Sequence, residues 1–293
     1  MRPVTARDSV LTCHERIHAV QNSSETMNYL RAARNWGHIT IRAVVYGTLG
    51  TTVGWIPPCR RFANWMMHLW CAGTCDAVHI RRHLLGREHL DQTPQAVLVA
   101  NHLSSLDILV LGSFLRRDFR WLAKSALFKV PFSGWYLSSA GHIRVHRGKD
   151  ATERNKSINR QIRRVMAQGA SVLFFPEGTR SRDGHLQAFR LGAFVAAVRE
   201  HQPVIPLVIW GTHELLEPGA KDLNIDRTRE CSVKALAPIS PAAAGTGDEI
   251  DRAKRLRDLV FAAMADELAT VVPVRTMEVA QVRPTTQQAP VAG

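Results

Sequence analysis

A histidine and an aspartate stand five residues apart in the stretch Asn-His-Leu-Ser-Ser-Leu-Asp at 101–107. The apolar run before them, 96–100, predicts a buried strand that ends just ahead of the histidine. If Ser104 is the N-cap of a helix, Asp107 falls in its first turn and His102 lies just outside it. The carboxylate could then hold one imidazole nitrogen and leave the other free as a base. The alternative is a capping box, in which Asp107 only satisfies the helix start.

A second candidate is the turn Pro-Glu-Gly-Thr-Arg at 176–180, which follows the apolar run 171–175. Gly178 permits a positive φ or a close approach of the backbone. The planar guanidinium of Arg180 can bind a phosphate or carboxylate through two hydrogen bonds. Glu177 could instead form only an ion pair within the turn, but a position beyond the carboxyl end of a strand favours a site.

Three cations are predicted at the ends of successive strands, namely Lys124, Arg147 and Arg180. Each alone is typical of a solvated strand end, but three at one rim indicate a pocket for an anion. The formal charge of +13 also favours anionic partners, which include nucleic acid, an acidic membrane surface and a phosphorylated substrate.

Strand and helix patterns alternate from about residue 84, which predicts an α/β domain at 84–270. Its sheet is expected to be mixed, mostly parallel and flanked by helices, with the site at the carboxyl ends of the strands. Strands are predicted at 96–100, 119–123, 142–146, 171–175, 204–210 and 231–236. Helices are predicted at 105–115, 152–167, 191–200 and 249–268.

The segments outside this domain have different compositions. Residues 1–35 are polar and are expected to form a disordered arm, so removing residues 1–26 should leave activity and membrane association intact. Residues 36–83 are expected to form a membrane-associated helical hairpin, because 43–56 carry no charge and an amphipathic Trp/Met-rich stretch follows. Such a hairpin could span the membrane as transmembrane helices or lie on its surface, and the alternative is a hairpin packed on the protein's own core. Residues 271–293 are expected to be a disordered tail.

The motifs occur in an order that resembles the glycerolipid acyltransferases, in particular the 1-acyl-sn-glycerol-3-phosphate (lysophosphatidic acid) acyltransferases. The first family motif is Asn-His-x₄-Asp at 101–107, and the second ends in an arginine after a strand, here Arg147. The third is Phe-Pro-Glu-Gly-Thr-Arg-Ser at 175–181, and the fourth is an apolar run around a proline at 204–208. A Phe-basic-x-Gly segment lies at 189–192.

This resemblance implies transfer of a fatty acyl group from acyl-CoA or acyl carrier protein to the sn-2 hydroxyl of lysophosphatidate, which forms phosphatidate in phospholipid biosynthesis. It implies that His102 is the general base and that Asp107 orients it. The implied substrate-binding residues are Lys124, Arg147, Glu177, Gly178, Thr179 and Arg180. Neither a metal nor a cofactor beyond the thioester co-substrate is implied, and the expected location is an anionic membrane, on the cytoplasmic face of the inner membrane.

Two other functions fit parts of the sequence. Another lyso-lipid, such as lyso-ornithine lipid, could be the acceptor, although it has no phosphate. A basic nucleic-acid-binding protein is favoured only by the net charge, since zinc-finger ligands and an RNA-recognition motif are absent from the sequence. Apolar residues make up 45% and charged residues 22% of the chain, which excludes a disordered or collagen-like protein.

Overall fold

A computed structural model describes residues 6–56, 59–146, 151–181, 184–216 and 223–282. In these ranges the strands are β1 (Arg81–Leu85), β2 (Val97–Ala100), β3 (Phe119–Lys124), β4 (Ile143–Val145), β5 (Ser171–Phe174), β6 (Val204–Trp210) and β7 (Glu230–Ala235). The helices there are α1 (Ala6–Gly54), α2 (Arg60–Ala77), α3 (Arg87–Asp91), α4 (Asp107–Phe114), α5 (Ser133–Ser139), α6 (Ala151–Ala167), α7 (Gly192–Arg199), α8 (Thr212–Leu215) and α9 (Glu249–Val282).

The strands form one sheet in the order β1-β7-β6-β2-β5-β3-β4. Neighbouring strands are parallel except for the antiparallel pair of β6 and β7. The predicted mixed, mostly parallel sheet is therefore confirmed. Because β2 to β6 run in the same direction, they all end at one edge, called here the carboxyl edge. The opposite edge, where they begin, is called the amino edge.

Helices cover both faces of the sheet, and each face has its own apolar core. Successive side chains of β2 show the division, because Leu98 packs into one core while Val97 and Val99 pack into the other. The first core also takes buried side chains from α2, α4 and α5, and the second takes them from α6, α7 and α9. Because helices cover both faces, the side chains on both faces of the central strands are buried. These strands are therefore continuous apolar runs, and apolar and polar residues do not alternate along them.

The predicted strands β2 to β7 agree with the observed ones to within two residues at either end. Strand β1 and the short helices α3, α5 and α8 were not predicted. Strand β1 reads Arg-Arg-His-Leu-Leu and is held through its pairing with β7, whose residues lie far away in the chain. Helix α5 has seven residues, too few to produce a helical period.

The boundaries predicted at residues 35 and 270 both fall inside helices. Helix α1 runs unbroken through the expected arm, since no glycine or proline occurs between Ala6 and Trp36. Helix α9 likewise continues beyond residue 270, as far as Val282. The first five residues and the last part of the expected tail, 283–293, lie outside the described residues.

Helices α1 and α2 occupy the segment for which a membrane-associated hairpin was predicted, and they pack on the domain. Helix α2 buries Met67, Cys71 and Cys75 in the first core. Helix α1 passes so close to α5 that a Cβ added at Gly50 would lie 2.9 Å from the ring of Tyr136. The inner side of the hairpin is therefore part of the protein's own core.

The outer side of helix α1 remains apolar and exposed. Ile41, Val45 and Leu49 follow one another at four-residue spacing, which places them on the same face, and all three are exposed. No helix within the described residues is both long enough and apolar enough to cross a bilayer. The transmembrane helix predicted from the sequence is not found there.

Candidate active site

The imidazole of His102 and the carboxylate of Asp107 form the predicted pair at the carboxyl edge, just after β2. The distance from Nδ1 of His102 to Oδ2 of Asp107 is 2.7 Å. The same Oδ2 accepts the backbone N–H groups of Leu103 at 2.7 Å and Ser104 at 2.9 Å. The hydroxyl of Thr212 donates to Oδ1 at 2.6 Å. The fully buried Asp107 therefore satisfies backbone donors before the helix and holds the histidine at the same time.

The start of helix α4 differs from the predicted one. The helix begins at Asp107 rather than at residue 105, so Asp107 is its first residue and Ser104 is not its N-cap. Instead, the hydroxyl of Ser104 accepts the N–H of Leu106 at 3.3 Å within the preceding turn. Because residues 103–106 form this turn instead of helix, the carboxylate of Asp107 folds back and reaches the imidazole of His102.

The ring of His102 stacks on Phe175, with 4.3 Å between ring centroids and 28° between the planes. Its backbone N–H donates to Oε1 of Glu177 at 2.9 Å, and its carbonyl accepts the N–H of Ser181 at 2.8 Å. These contacts join the segment after β2 to the segment after β5. Since Asp107 occupies Nδ1, the nitrogen left for a substrate is Nε2.

The side chain of Glu177 is buried, and its carboxylate connects the segment after β2 to the segment after β5. One carboxylate oxygen accepts the N–H of His102, and the other accepts the N–H of Gln187 at 3.3 Å. Both oxygens thus accept backbone N–H groups, and no ion pair joins Glu177 to Arg180 among the described residues. Burial raises the pKa of Glu177 to about 7, although the two N–H groups favour the ionised form and oppose the rise.

Replacing Glu177 should change how stability depends on pH. A carboxyl whose pKa rises from 4.5 to about 7 on folding binds its proton more tightly in the folded protein, so its contribution to stability falls as pH rises through that interval. The stability of the variant Glu177→Gln should not fall in this way as pH rises, because glutamine does not ionise. At low pH it should also be less stable by about 1–3 kcal/mol, because its NH₂ group faces one of the two backbone donors.

Denaturant unfolding at several pH values between these limits would measure both effects. Glu153→Gln is the matched control, since Glu153 is exposed on α6, where it pairs with Lys156. If the stability of Glu177→Gln depended on pH in the same way as that of wild type, Glu177 would not be a buried carboxyl whose pKa rises on folding.

The turn that carries Gly178 packs against Arg190. Gly178 has a φ of +73°, and a Cβ at this position would lie 2.5 Å from Cζ of Arg190. The backbone N–H of Arg190 donates to the carbonyl of Pro176 at 3.0 Å. The N–H of Gly178 donates to the carbonyl of Phe175 at 3.1 Å, so this donor closes the turn and is not available to a developing oxyanion.

The other predicted binding residues lie toward the rim. Lys124 is the last residue of β3 and is exposed, and Thr179 and Arg180 are exposed in the segment after β5. Because β3 and β5 are adjacent and parallel, these side chains belong to one edge of the sheet. Arg147, the third predicted cation, lies outside the described residues.

Two contributors to the site were not predicted from the sequence. Asn101 exchanges two hydrogen bonds with the backbone of Ile209, at 2.9 and 2.7 Å, and thereby ties the end of β2 to β6. Thr212 binds the carboxylate of Asp107 from the segment after β6. Both partners lie more than 100 residues away in the chain, so only the parallel pairing of β2 with β6 brings them together.

The sequence of the chain is similar to those of known proteins. Residues 81–210 match the family described as Acyltransferase. A 1-acyl-sn-glycerol-3-phosphate acyltransferase of Chlamydomonas reinhardtii is 38% identical over 163 residues, which are 55% of this chain and 48% of that protein. One from Saccharomyces cerevisiae is 34% identical over 160 residues, 54% of this chain and 51% of that protein. The chain thus spans about half the length of these relatives.

A solved structure shows the same fold. The crystal structure of the 1-acyl-sn-glycerophosphate (LPA) acyltransferase PlsC from Thermotoga maritima superposes with a TM-score of 0.67. The match covers 89% of this chain and 99% of that one, at 22% sequence identity. Together with the family match over residues 81–210, which contains His102, Asp107 and the turn at 176–180, these similarities confirm the resemblance of the chain to the 1-acyl-sn-glycerol-3-phosphate acyltransferases.

Proposed function

We propose that the protein transfers a fatty acyl group from a thioester, acyl-CoA or acyl carrier protein, to the sn-2 hydroxyl of 1-acyl-glycerol-3-phosphate, forming phosphatidate. The observation that carries this proposal is the His102–Asp107 pair. Hydrogen bonds that join the backbone of His102 to Glu177 and Ser181 hold this pair against the turn after β5. The similarity to proteins named for this reaction supports the choice of substrate.

In the proposed mechanism His102 is the general base. Its Nε2 takes the proton of the acceptor hydroxyl while that oxygen attacks the carbonyl carbon of the thioester. As the tetrahedral intermediate collapses, the carbon–sulfur bond breaks and the imidazolium returns the proton to the leaving thiolate. The products are the ester and a free thiol, and His102 regains its starting protonation state.

Asp107 is the proposed partner of this base. Its carboxylate accepts Nδ1–H, which fixes the tautomer in which Nε2 carries the lone pair, and its charge stabilises the imidazolium. The ring also stacks on Phe175, so its plane is fixed from a second direction. A base held in this way loses little freedom when the substrate arrives, which is how positioning contributes to rate.

Lys124 and Arg180, together with Arg147, are proposed to hold the acceptor phosphate, and Gly178 and Thr179 to shape the turn beside it. Lys124 and Arg180 are exposed at the rim, while His102 and Asp107 lie deeper. This order matches an acceptor whose phosphate stays near solvent as its hydroxyl reaches the base.

Replacing Arg180 should therefore affect acceptor binding more than chemistry. A phosphate clamp acts in the ground state and in the transition state alike, so Arg180→Ala should raise the acceptor KM by about 10-fold or more with a smaller change in kcat. The loss should be smaller with lyso-ornithine lipid, which has no phosphate. Steady-state kinetics with both acceptors measures this, and Arg87→Ala, an exposed arginine of α3, is the control. An equal loss with both acceptors would contradict a phosphate clamp.

Docking on an anionic membrane, at the cytoplasmic face of the inner membrane, is proposed for the outer side of the hairpin. The exposed stripe of Ile41, Val45 and Leu49 offers an apolar face, and exposed Trp55 and Trp65 lie toward its far end. Tryptophan is the side chain favoured at the boundary between lipid and water. A helix lying on the surface in this way does not need the length or apolarity of a spanning helix.

The direct test is mass spectrometry of the products formed from a panel of lyso-lipids, with acyl-CoA and acyl carrier protein supplied in turn. Acylation of lysophosphatidate at the sn-2 position is the expected result. Faster acylation of lyso-ornithine lipid than of lysophosphatidate would overturn the choice of acceptor.

A further inference from the structure

Three arginines from different elements meet at the amino edge of the sheet, opposite His102. They are Arg60 at the start of α2, Arg120 in β3 and Arg164 near the end of α6. Arg120 is buried, forms an ion pair with Asp118 and donates to the carbonyl of Phe119 at 2.8 Å. The nearby carboxylate is thus already engaged.

Arg60 lies beside Arg120 and is incompletely paired. A Cβ added at Gly141 would lie 3.7 Å from Nε of Arg120 and 3.7 Å from Nε of Arg60, so the two guanidinium groups are neighbours. One terminal nitrogen of Arg60 donates to the side chain of Gln168 at 3.3 Å, but its buried Nε has no acceptor among the described residues. Burial and the charges of Arg120 and Arg164 lower the pKa of Arg60, and Asp118 only partly opposes them.

The charges of this arginine cluster are therefore unbalanced. Among the described residues, the charged groups that act on Arg60 are the cations Arg120 and Arg164 and one carboxylate, that of Asp118, which already pairs with Arg120. Arg61 adds a further cation nearby, with its Nη2 3.8 Å from the position of a Cβ at Gly169. Arg164 stands four residues before Gln168, which accepts a hydrogen bond from Arg60, so it belongs to the same end of α6. Guanidinium groups gathered at one edge favour an anion, and a phosphate has the size and acceptor geometry for this role.

Exposed apolar side chains lie on both sides of Arg60 in the chain, just after the end of α1 and on the outer face of α2. Trp55 and Ile56 come before Arg60 in the chain, and Phe62 and Trp65 follow it on α2. All four are exposed. A soluble anion gains nothing from an exposed apolar surface on the adjoining helices, whereas a phospholipid brings acyl chains together with its phosphate. The combination favours a lipid.

We infer that Arg60, Arg120 and Arg164 form a binding site for the phosphate of an anionic phospholipid, separate from the catalytic site. The inference rests on the proposed docking of the hairpin at a membrane. Helix α1 extends from Asn35, bonded to Leu223 at the carboxyl edge, to Gly54, next to Ser139 at the amino edge. A membrane along its outer face therefore reaches both edges.

The test uses the double variant Arg60→Gln/Arg164→Gln of the full chain. Arg120 is kept, because removing it would leave Asp118 without its partner. The control is Lys254→Gln/Arg257→Gln, which removes the same charge from α9, on the face of the sheet opposite α2. Sedimentation with phosphatidylcholine vesicles, with and without phosphatidate, measures the preference of each protein for the anionic lipid.

The double variant should bind phosphatidate vesicles about 20-fold more weakly than wild type, since each arginine near an anionic surface contributes about fivefold. The control should lose no more than about threefold, because its charges lie away from the bilayer. Both variants should keep wild-type activity in detergent micelles, since the arginine cluster lies opposite the proposed active site. Equal losses in the two variants, or unchanged binding of the double variant, would overturn the inference.

Two outcomes separate this inference from the proposals on which it rests. If wild type itself shows no preference for phosphatidate vesicles, both the membrane docking and the headgroup site are wrong, while the acyl-transfer assay stays independent. If inorganic phosphate raises the melting temperature of wild type but not of the double variant, and vesicle binding is equal in both, the ligand is a soluble anion. That result would overturn the lipid assignment.

Discussion

His102→Ala should lower kcat by about 10²–10⁴ and leave the acceptor KM nearly unchanged. A general base acts on the proton only as the transition state forms, and its contribution is of this size. The binding residues at the rim remain in place, so ground-state binding of the acceptor should persist. Steady-state kinetics with lysophosphatidate and a fixed acyl donor measures both parameters.

The structure indicates that this variant should fold. The bonds from His102 to Glu177 and Ser181 come from its backbone, and alanine keeps them. Without the imidazole, Asp107 still accepts N–H groups from Leu103 and Ser104. Circular dichroism and thermal melting check the fold, and His83→Ala, on exposed β1, is the matched control. A folded His102→Ala protein with near-normal kcat would rule out the mechanism.

The main elements around this site could be predicted because their signals are local. The apolar runs that form β2, β5 and β6 are short and are bounded by turn residues, and the motif residues directly follow the first two. The spacing from His102 to Asp107 allowed two interpretations, a held base or a helix cap. In the structure Oδ2 of Asp107 holds the imidazole and also accepts the N–H groups of Leu103 and Ser104, which precede the helix, so it satisfies backbone donors without capping α4.

What could not be predicted depends on contacts between distant parts of the chain. Asn101 stands inside the first motif, but its partner Ile209 is 108 residues away and is reached only through strand pairing. The same holds for Thr212, whose short polar side chain gives no signal of its own. Glu177 has a charged side chain, which predicts exposure, yet its two backbone donors allow it to be buried.

The packing of the hairpin could not be predicted from the sequence for a different reason. Apolar residues on α1 and α2 predict a buried face but do not say what buries it. The close approach at Gly50 and the buried face of α2 assign the inner residues to the protein core, while Ile41 and Val45 remain outside. This division depends on how the two helices rotate against α5, and a sequence pattern does not contain that rotation.

Asp107→Asn should lower kcat by about 10–10³-fold, less than His102→Ala. An asparagine oxygen in the place of Oδ2 can accept from His102, Leu103 and Ser104, and its NH₂ can donate to the hydroxyl of Thr212. Both the fold and the tautomer of the imidazole are then retained. What is lost is the negative charge beside the developing imidazolium, and an opposite charge this close changes a protonation equilibrium by about 10–10³-fold.

Asp107→Ala separates this electrostatic role from the structural one. Alanine leaves the N–H groups of Leu103 and Ser104 without their acceptor, which should lower the free energy of unfolding by about 1–3 kcal/mol in addition to the kinetic loss. Denaturant unfolding and kcat are therefore measured on both variants. If Asp107→Asn keeps normal kcat while Asp107→Ala is destabilised, Asp107 only satisfies the backbone before α4. If Asp107→Asn is stable but slow, the charge of Asp107 acts on His102 during catalysis.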